Sequence, residues 1–179
     1  QTLMKRILFI IDSLTCGGAE KSLVSLLPLL DRSKYEVTLW IRHRGGVFES
    51  LLTAGTHLVD APRYSFAEKL LLKSGGLAYS LMLRVYRLLG KHIHFSELLW
   101  KCQGWAMKVP EGNWDVVVAY QQGIPTYLVA TKMSGCKRLA WINANIFNAG
   151  YNTAFNAKMY ERMDELCPVS EELHQILLQ

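Results

Sequence analysis

The chain has 179 residues, half of them apolar, with 20 lysines and arginines against 15 acids and a net charge of +5. That is enough for one domain with a substantial core and short for two, and no apolar run approaches the roughly 18 to 20 residues of a bilayer span. The cysteines Cys16, Cys102, Cys136 and Cys167 are scattered with no Cys-x-x-Cys pair, which argues against a zinc site or a disulfide framework and fits a reducing cytoplasm. Ile7 to Ile11 is an unbroken apolar run, the pattern of a buried parallel strand, and it ends at Asp12, too soon for a signal peptide. Leu23, Leu26, Leu27 and Leu30 then recur at i, i+3, i+4 and i+7 as one helix face, which Pro28 should kink or shorten. Between strand and helix stand Gly17 and Gly18. Their bare backbone, at a helix N-terminus with its partial positive charge, reads either as an anion site or as a tight turn.

Tyr35 to Ile41 is a second strand, Val47 to Leu52 a short helix after Gly45-Gly46, and Thr56 to Val59 a third strand. From Pro62 to Pro110 no strand pattern occurs. The segment reads as two or three helices broken near Gly75-Gly76 and Gly90, inserted into a regular βα alternation. Between Arg63 and Lys108 eight lysines and arginines face two glutamates, a balance of +6, so the excess charge of the chain lies here, interleaved with leucines, Trp100 and Trp105. That composition suits either a basic amphipathic surface for anionic lipid or a packed insertion with solvated lysines. No nucleic-acid-binding module accompanies it, so nucleic acid is not an expected partner.

Asp115 to Tyr120 and Arg138 to Ile142 are further strands, with a helix from Pro125 to about Met133 between them. A helix from Thr153 to Met163 capped by Asn152, a short strand Glu165 to Val169, and a helix capped by Ser170 complete the chain. The expected fold is α/β, one Rossmann-like, doubly wound parallel sheet over residues 1–179 with a helical insertion at about 62–110. In such sheets ligands sit beyond the carboxyl ends of the strands. The turn Asp12 to Gly18, the loop Tyr120-Gln121-Gln122-Gly123 and the loop Asn143-Ala144-Asn145 converge at that edge with neutral groups suited to sugar hydroxyls, beside aromatic Tyr120, Trp141 and Phe147. Trp141, inside a strand, reads better as core. Asn143 and Asn145 are turn formers or ligand contacts. His43, His57, His92, His94 and His174 are not spaced as metal ligands, and no metal is expected.

Taken in order, Ile7–Ile11, Gly17-Gly18-Ala19-Glu20, Tyr35-Glu36-Val37-Thr38-Leu39, Asp115-Val116-Val117-Val118, Leu139-Ala140-Trp141-Ile142-Asn143, Asp164-Glu165-Leu166 and Val169-Ser170-Glu171-Glu172 resemble the N-terminal half of a retaining glycosyltransferase of family four, with GT-B architecture. The resemblance implies an acceptor-binding domain whose partner, a C-terminal nucleotide-sugar domain with paired glutamates, would follow Gln179. It implies donor phosphate and sugar contacts at Gly17, Gly18 and Asn143, and acceptor contacts at Tyr120, Gln121, Gln122 and Asn145. It implies a nucleotide-sugar as co-substrate, no separate cofactor, and a glycan or lipid-linked acceptor in bacterial cell-surface polysaccharide synthesis, in the cytoplasm or at the inner face of the membrane. Asn143 stands where many members have a histidine near the transferring sugar. An asparagine can bond a hydroxyl but cannot act as acid or base near neutral pH, so no catalytic residue is assigned. The alternative is a non-catalytic domain of the same fold that holds a glycan or a partner. A nicotinamide-binding domain is disfavoured by the missing third glycine and by Ile41-Arg42 where an acid should end the second strand.

Overall fold

The computed structural model describes residues 4–146 and 148–177, so Phe147 lies outside the described residues. The strands are β1 (Lys5–Ile11), β2 (Tyr35–Ile41), β3 (Thr56–Leu58), β4 (Val116–Ala119), β5 (Lys137–Ile142) and β6 (Glu165–Pro168). They form one parallel sheet in the order β3-β2-β1-β4-β5-β6, with helices on both faces, a Rossmann-like, doubly wound α/β fold. Ile7 pairs with Val37 on one side and Val116 on the other, so β1 is interior. Its run lacks alternation because both faces are covered. Ile7, Phe9 and Ile11 pack with Leu23, Val24 and Leu27 of the first helical segment, while Leu8 and Ile10 pack with Tyr127 and Leu128 on the opposite face.

Helix α1 (Gly18–Leu26) gives way to a tight 3-10 turn over Leu27–Leu29, the shortening expected from Pro28. In the insertion, α2 (Phe66–Leu88) runs unbroken for 23 residues and is followed by α3 (Phe95–Gln103). The break expected at Gly75-Gly76 is therefore corrected. A Cβ on Gly75 would stand 2.6 Å from the Cys102 carbonyl oxygen and 2.8 Å from Gln103 Cγ, so this glycine permits the close approach of α3. Its helix-propensity cost, about 1 kcal/mol, is offset by that packing and by a 2.8 Å hydrogen bond from Gln103 Nε2 to the Leu72 carbonyl. Gly90, with φ of +62°, does end the helical run.

Helices α4 (Ile124–Lys132), α5 (Thr153–Tyr160) and α6 (Glu171–Leu177) complete the fold. Both expected caps are present: Asn152 Oδ1 accepts from Phe155 N at 2.9 Å, and Ser170 Oγ from Leu173 N at 3.3 Å. The insertion is tied to this frame by one buried carboxylate. Glu97 of α3, 1% exposed, accepts from Asn152 N at 2.6 Å and Asn156 Nδ2 at 2.8 Å, while the Tyr127 hydroxyl donates to Asn156 Oδ1 at 3.0 Å. Burial first, and then the nearby Glu97 charge, push the Tyr127 hydroxyl far above its ordinary pKa and keep it a donor. Among the described residues no helix is long and apolar enough to cross a membrane.

Candidate functional site

After β1 the chain turns to α1 on one face of the sheet; after β4 it turns to α4 on the other. Their loops diverge at the carboxyl edge, the topological switch point where such sheets leave a crevice. The β1–α1 loop is held from below by buried Leu14, whose carbonyl accepts from Phe48 N at 2.9 Å. A Cβ on Gly46 would collide with that same carbonyl, so the two neighbouring loops are closely packed.

The glycine pair divides into two roles. At Gly17 a Cβ would strike the carboxylate of Glu20, which folds back over it and is 7% exposed. Gly17 therefore makes room for an acid that complements the helix N-terminus from within. Gly18 has no atom within 4 Å of where its Cβ would be. It faces open space, and α1 has no side-chain cap. An incoming anion would therefore meet the first-turn amides from the Gly18 side.

The other two loops are stitched together by glutamine amides. Gln121 Oε1 accepts from Asp12 N at 3.3 Å, joining the loops after β4 and β1. Gln122 Oε1 accepts from Asn143 N at 3.1 Å and Ala144 N at 2.8 Å, and its Nε2 donates to the Ala144 carbonyl at 2.9 Å, joining the loops after β4 and β5. Asn143 Nδ2 donates to the Tyr120 carbonyl at 2.8 Å. The expected convergence is thus present. Gly17 and Gly18 are exposed, and Gln121, Asn143 and Asn145 are half-buried at the same edge. Asn145 Oδ1 accepts from Asn148 N at 3.4 Å.

Tyr120 and Gln122 differ from the expectation that they lie open to an acceptor. Tyr120 is fully buried, its ring stacked on Trp141 at 4.8 Å between centroids and its hydroxyl 2.9 Å from Ser22 Oγ. It supports the edge from beneath, because Tyr120, the first residue after β4, packs with Val118 on the α1 face. Gln122 is 9% exposed and its amide is spent on backbone of the neighbouring loop, so it shapes the site without presenting itself to it. Trp141 is half-buried against Tyr120, in keeping with its reading as core.

Two features at this edge escaped the sequence reading. Asp12 and Arg42 form an ion pair immediately after the paired ends of β1 and β2. The signal was present: Ile11 pairs with Ile41, so opposite charges one residue on stand side by side. The second is the arrival of the insertion. His94 stacks on Tyr151 at 3.7 Å between centroids, and Ser96 Oγ lies 2.7 Å from where a Cβ on Gly123 would be. Gly123 has φ of +85°, so glycine is demanded there by conformation as well as by space. Burial lowers the His94 pKa, with Glu97 opposing, and burial raises that of the Tyr151 hydroxyl.

Two hollows lie away from this edge. One of about 590 Å³ lies between α5 and α6, lined by Ile146, Tyr160, Leu166 and Leu177 among others; another of about 550 Å³ opens at the opposite end of the sheet beside Arg6, Trp114 and Cys136. Among the described residues no group of three or more His, Cys, Asp or Glu side chains could hold a metal ion. The carboxyl edge thus presents neutral amides, a helix N-terminus with no side-chain cap, and the Asp12–Arg42 and Arg44–Glu49 ion pairs.

The chain is a six-stranded, Rossmann-like α/β domain whose loops after β1, β4 and β5 meet at the carboxyl edge, beside its switch point. In comparison with known proteins, the chain matches no family model and no curated protein.

Proposed function

We propose that this domain is the acceptor-binding half of a retaining, GT-B-type glycosyltransferase, moving a sugar from a nucleotide-sugar to a glycan or lipid-linked acceptor in cell-surface polysaccharide synthesis. The observation that carries the reading is the division within the glycine pair. Gly17 is closed by Glu20, whereas Gly18 stands open beside first-turn amides that no side chain caps, an arrangement suited to a diphosphate entering from a facing domain. Gln121, Asn143 and Asn145 offer neutral hydrogen-bonding groups of the kind that hold sugar hydroxyls. In this reading the domain positions the acceptor, and the leaving phosphate takes its proton. Asn143 serves as a sugar contact through Oδ1, since its Nδ2 is committed to the Tyr120 carbonyl. The donor is a co-substrate, with no separate cofactor, and the site of action is the cytoplasmic side of the membrane.

The test supplies this domain, together with whatever sequence its gene encodes beyond Gln179, with radiolabelled nucleotide-sugars and a lipid extract. Label should pass into the lipid or glycan fraction, and Gly18→Val should reduce transfer at least about tenfold with the fold retained, because a branched side chain would obstruct the amides. Normal transfer by a folded Gly18→Val variant returns Gly18 to a turn-forming role. Absence of transfer, with retained glycan binding by the domain alone, favours the second reading, a non-catalytic glycan-binding domain. The observation behind that reading is Asn143: the residue at the family's histidine position is neutral and half committed to backbone.

A further inference from the structure

Helix α2 shows two different faces. Gly75, with half-buried Leu72, Tyr79 and Leu83, lies toward α3. The rest of the circumference is exposed, and it is not polar. At 3.6 residues per turn Leu70, Leu77, Leu81 and Leu88 fall within about 40° of one another, and Leu71, Met82 and Val85 widen the arc. Leu77, Leu81 and Leu88 are 68%, 63% and 86% exposed. Of the eighteen large apolar side chains exposed among the described residues, nine lie between Phe66 and Leu89, so the surface apolar area is concentrated here. Along one flank of this arc Lys69, Lys73, Arg84 and Arg87 form a strip about 60° wide. None of the four takes part in an ion pair among the described residues. At the other flank Trp105, 58% exposed, borders the same hollow as Leu71, and its indole N–H is satisfied by the Cys102 carbonyl at 3.1 Å.

We propose that α2 lies in the plane of an anionic membrane surface, with its leucine arc in the acyl boundary and the Lys69, Lys73, Arg84 and Arg87 strip among the phosphate headgroups. The charge pattern selects this occupant. Glu68 is the only carboxylate on α2, and it is taken by Lys108 at 2.7 Å; a second copy of the chain would bring four more cations and no carboxylate to meet them. Spanning is excluded by charges at both ends of the helix, whereas an in-plane helix keeps them at the headgroups. The bilayer contact is also tied to the candidate site. α3 packs on α2 at Gly75, and its first turn brings Ser96 against Gly123 in the loop after β4, so a membrane-held α2 would fix that edge relative to the lipid. The proposal does not depend on sugar transfer.

The test is flotation of the 179-residue chain with vesicles of phosphatidylcholine alone and of phosphatidylcholine with phosphatidylglycerol, at low and high salt. Each cation at such a surface is worth about a fivefold gain in partitioning. Binding to the anionic vesicles should therefore exceed binding to the neutral ones about tenfold or more at low salt and fall with added salt. Arg84→Glu with Arg87→Glu should lower it at least about tenfold. Leu77→Asp with Leu81→Asp should abolish it. Brominated lipid should quench a component of fluorescence that Trp105→Phe removes. Both charged pairs lie on an exposed face, so an unchanged melting curve shows that the fold is intact. Equal partitioning into neutral and anionic vesicles overturns the proposal. So does vesicle binding that survives Leu77→Asp with Leu81→Asp and is matched by binding to a soluble polyanion such as heparin, which makes the strip a generic cation patch. Self-association that this leucine pair abolishes, without vesicle binding, assigns the face to a second copy. None of these outcomes involves a nucleotide-sugar, so the transferase reading stands or falls separately.

Discussion

Helices α4 and α2 lie in the same domain under opposite conditions. In α4 the seven residues Ile124 to Ala130 are all buried, enclosed by the sheet, α3 and α5, although the helix has only nine residues. In α2, with 23 residues, Gly75 alone is buried. Yet both are rich in apolar side chains. The contrast teaches that apolar composition alone does not place a helix in the core; what matters is whether other elements converge on it. Those around α4 do so from several sides, while α2 meets the rest of the domain mainly through α3 and so keeps an apolar arc in reserve.

The contrast can be broken or sharpened by substitution. The largest difference is expected between Leu23→Ala in the core of the frame and Leu81→Ala on α2. Leu23 is fully buried and its truncation should cost about 2–5 kcal/mol, whereas Leu81→Ala should stay within about 0.5 kcal/mol. Urea unfolding of the two variants measures both, and a large loss at Leu81 would mean that the arc is covered in the free chain.

Next in size is the link between the two regions. Glu97→Ala leaves Asn152 N and Asn156 Nδ2 without their carboxylate and should cost about 2–3 kcal/mol, with Glu97→Gln recovering part of it because an amide oxygen can still accept. Hydrogen exchange should show α2 and α3 losing protection before the sheet does. Uniform loss across the domain would show that insertion and frame unfold as one unit.

The smallest effect is local and depends on pH. Hydrogen bonding to Lys108, then to the Ser65 amide, holds the Glu68 carboxyl down to about 2 from its usual 4.5. A depressed carboxyl stabilises the native state above its unfolded pKa, and that contribution is lost as pH falls through the folded value. Glu68 closes the capping box with Ser65, so the first turn of α2 should hold its amide protection at pH 5 and lose it progressively toward pH 2. A Glu68→Gln variant should show a flat profile, checked by carboxyl NMR titration and amide exchange.

Much of the frame was legible because burial on both faces of a parallel sheet leaves an unmistakable trace. Ile7–Ile11 and Val116-Val117-Val118 have no polar alternation, and Pro28, Asn152 and Ser170 act through local backbone chemistry that needs no distant partner. Gly75 was not legible, since a glycine that breaks a helix and a glycine that admits a second helix look alike until Cys102 is seen beside it. The candidate site was legible as a place and less so as a set of side chains. Topology fixes which loops meet. Whether Gln122 faces a ligand or braces a neighbouring backbone, and whether Glu20 projects outward or folds onto Gly17, is decided by packing between segments far apart in the chain.

The position of the insertion has a consequence for how such a chain can acquire new parts. With strand order β3-β2-β1-β4-β5-β6, the segment between β3 and β4 must travel from the sheet's margin back past two strands to its middle. This crossover has to be long in any case, and doubling the length of a flexible connection costs only about 0.6 kcal/mol in closure entropy. It is therefore the cheapest place to lengthen the polypeptide without disturbing a single strand pairing. A module added there, once clipped down by a residue such as Glu97, gains a new outer surface while the parallel ladder remains indifferent to its presence.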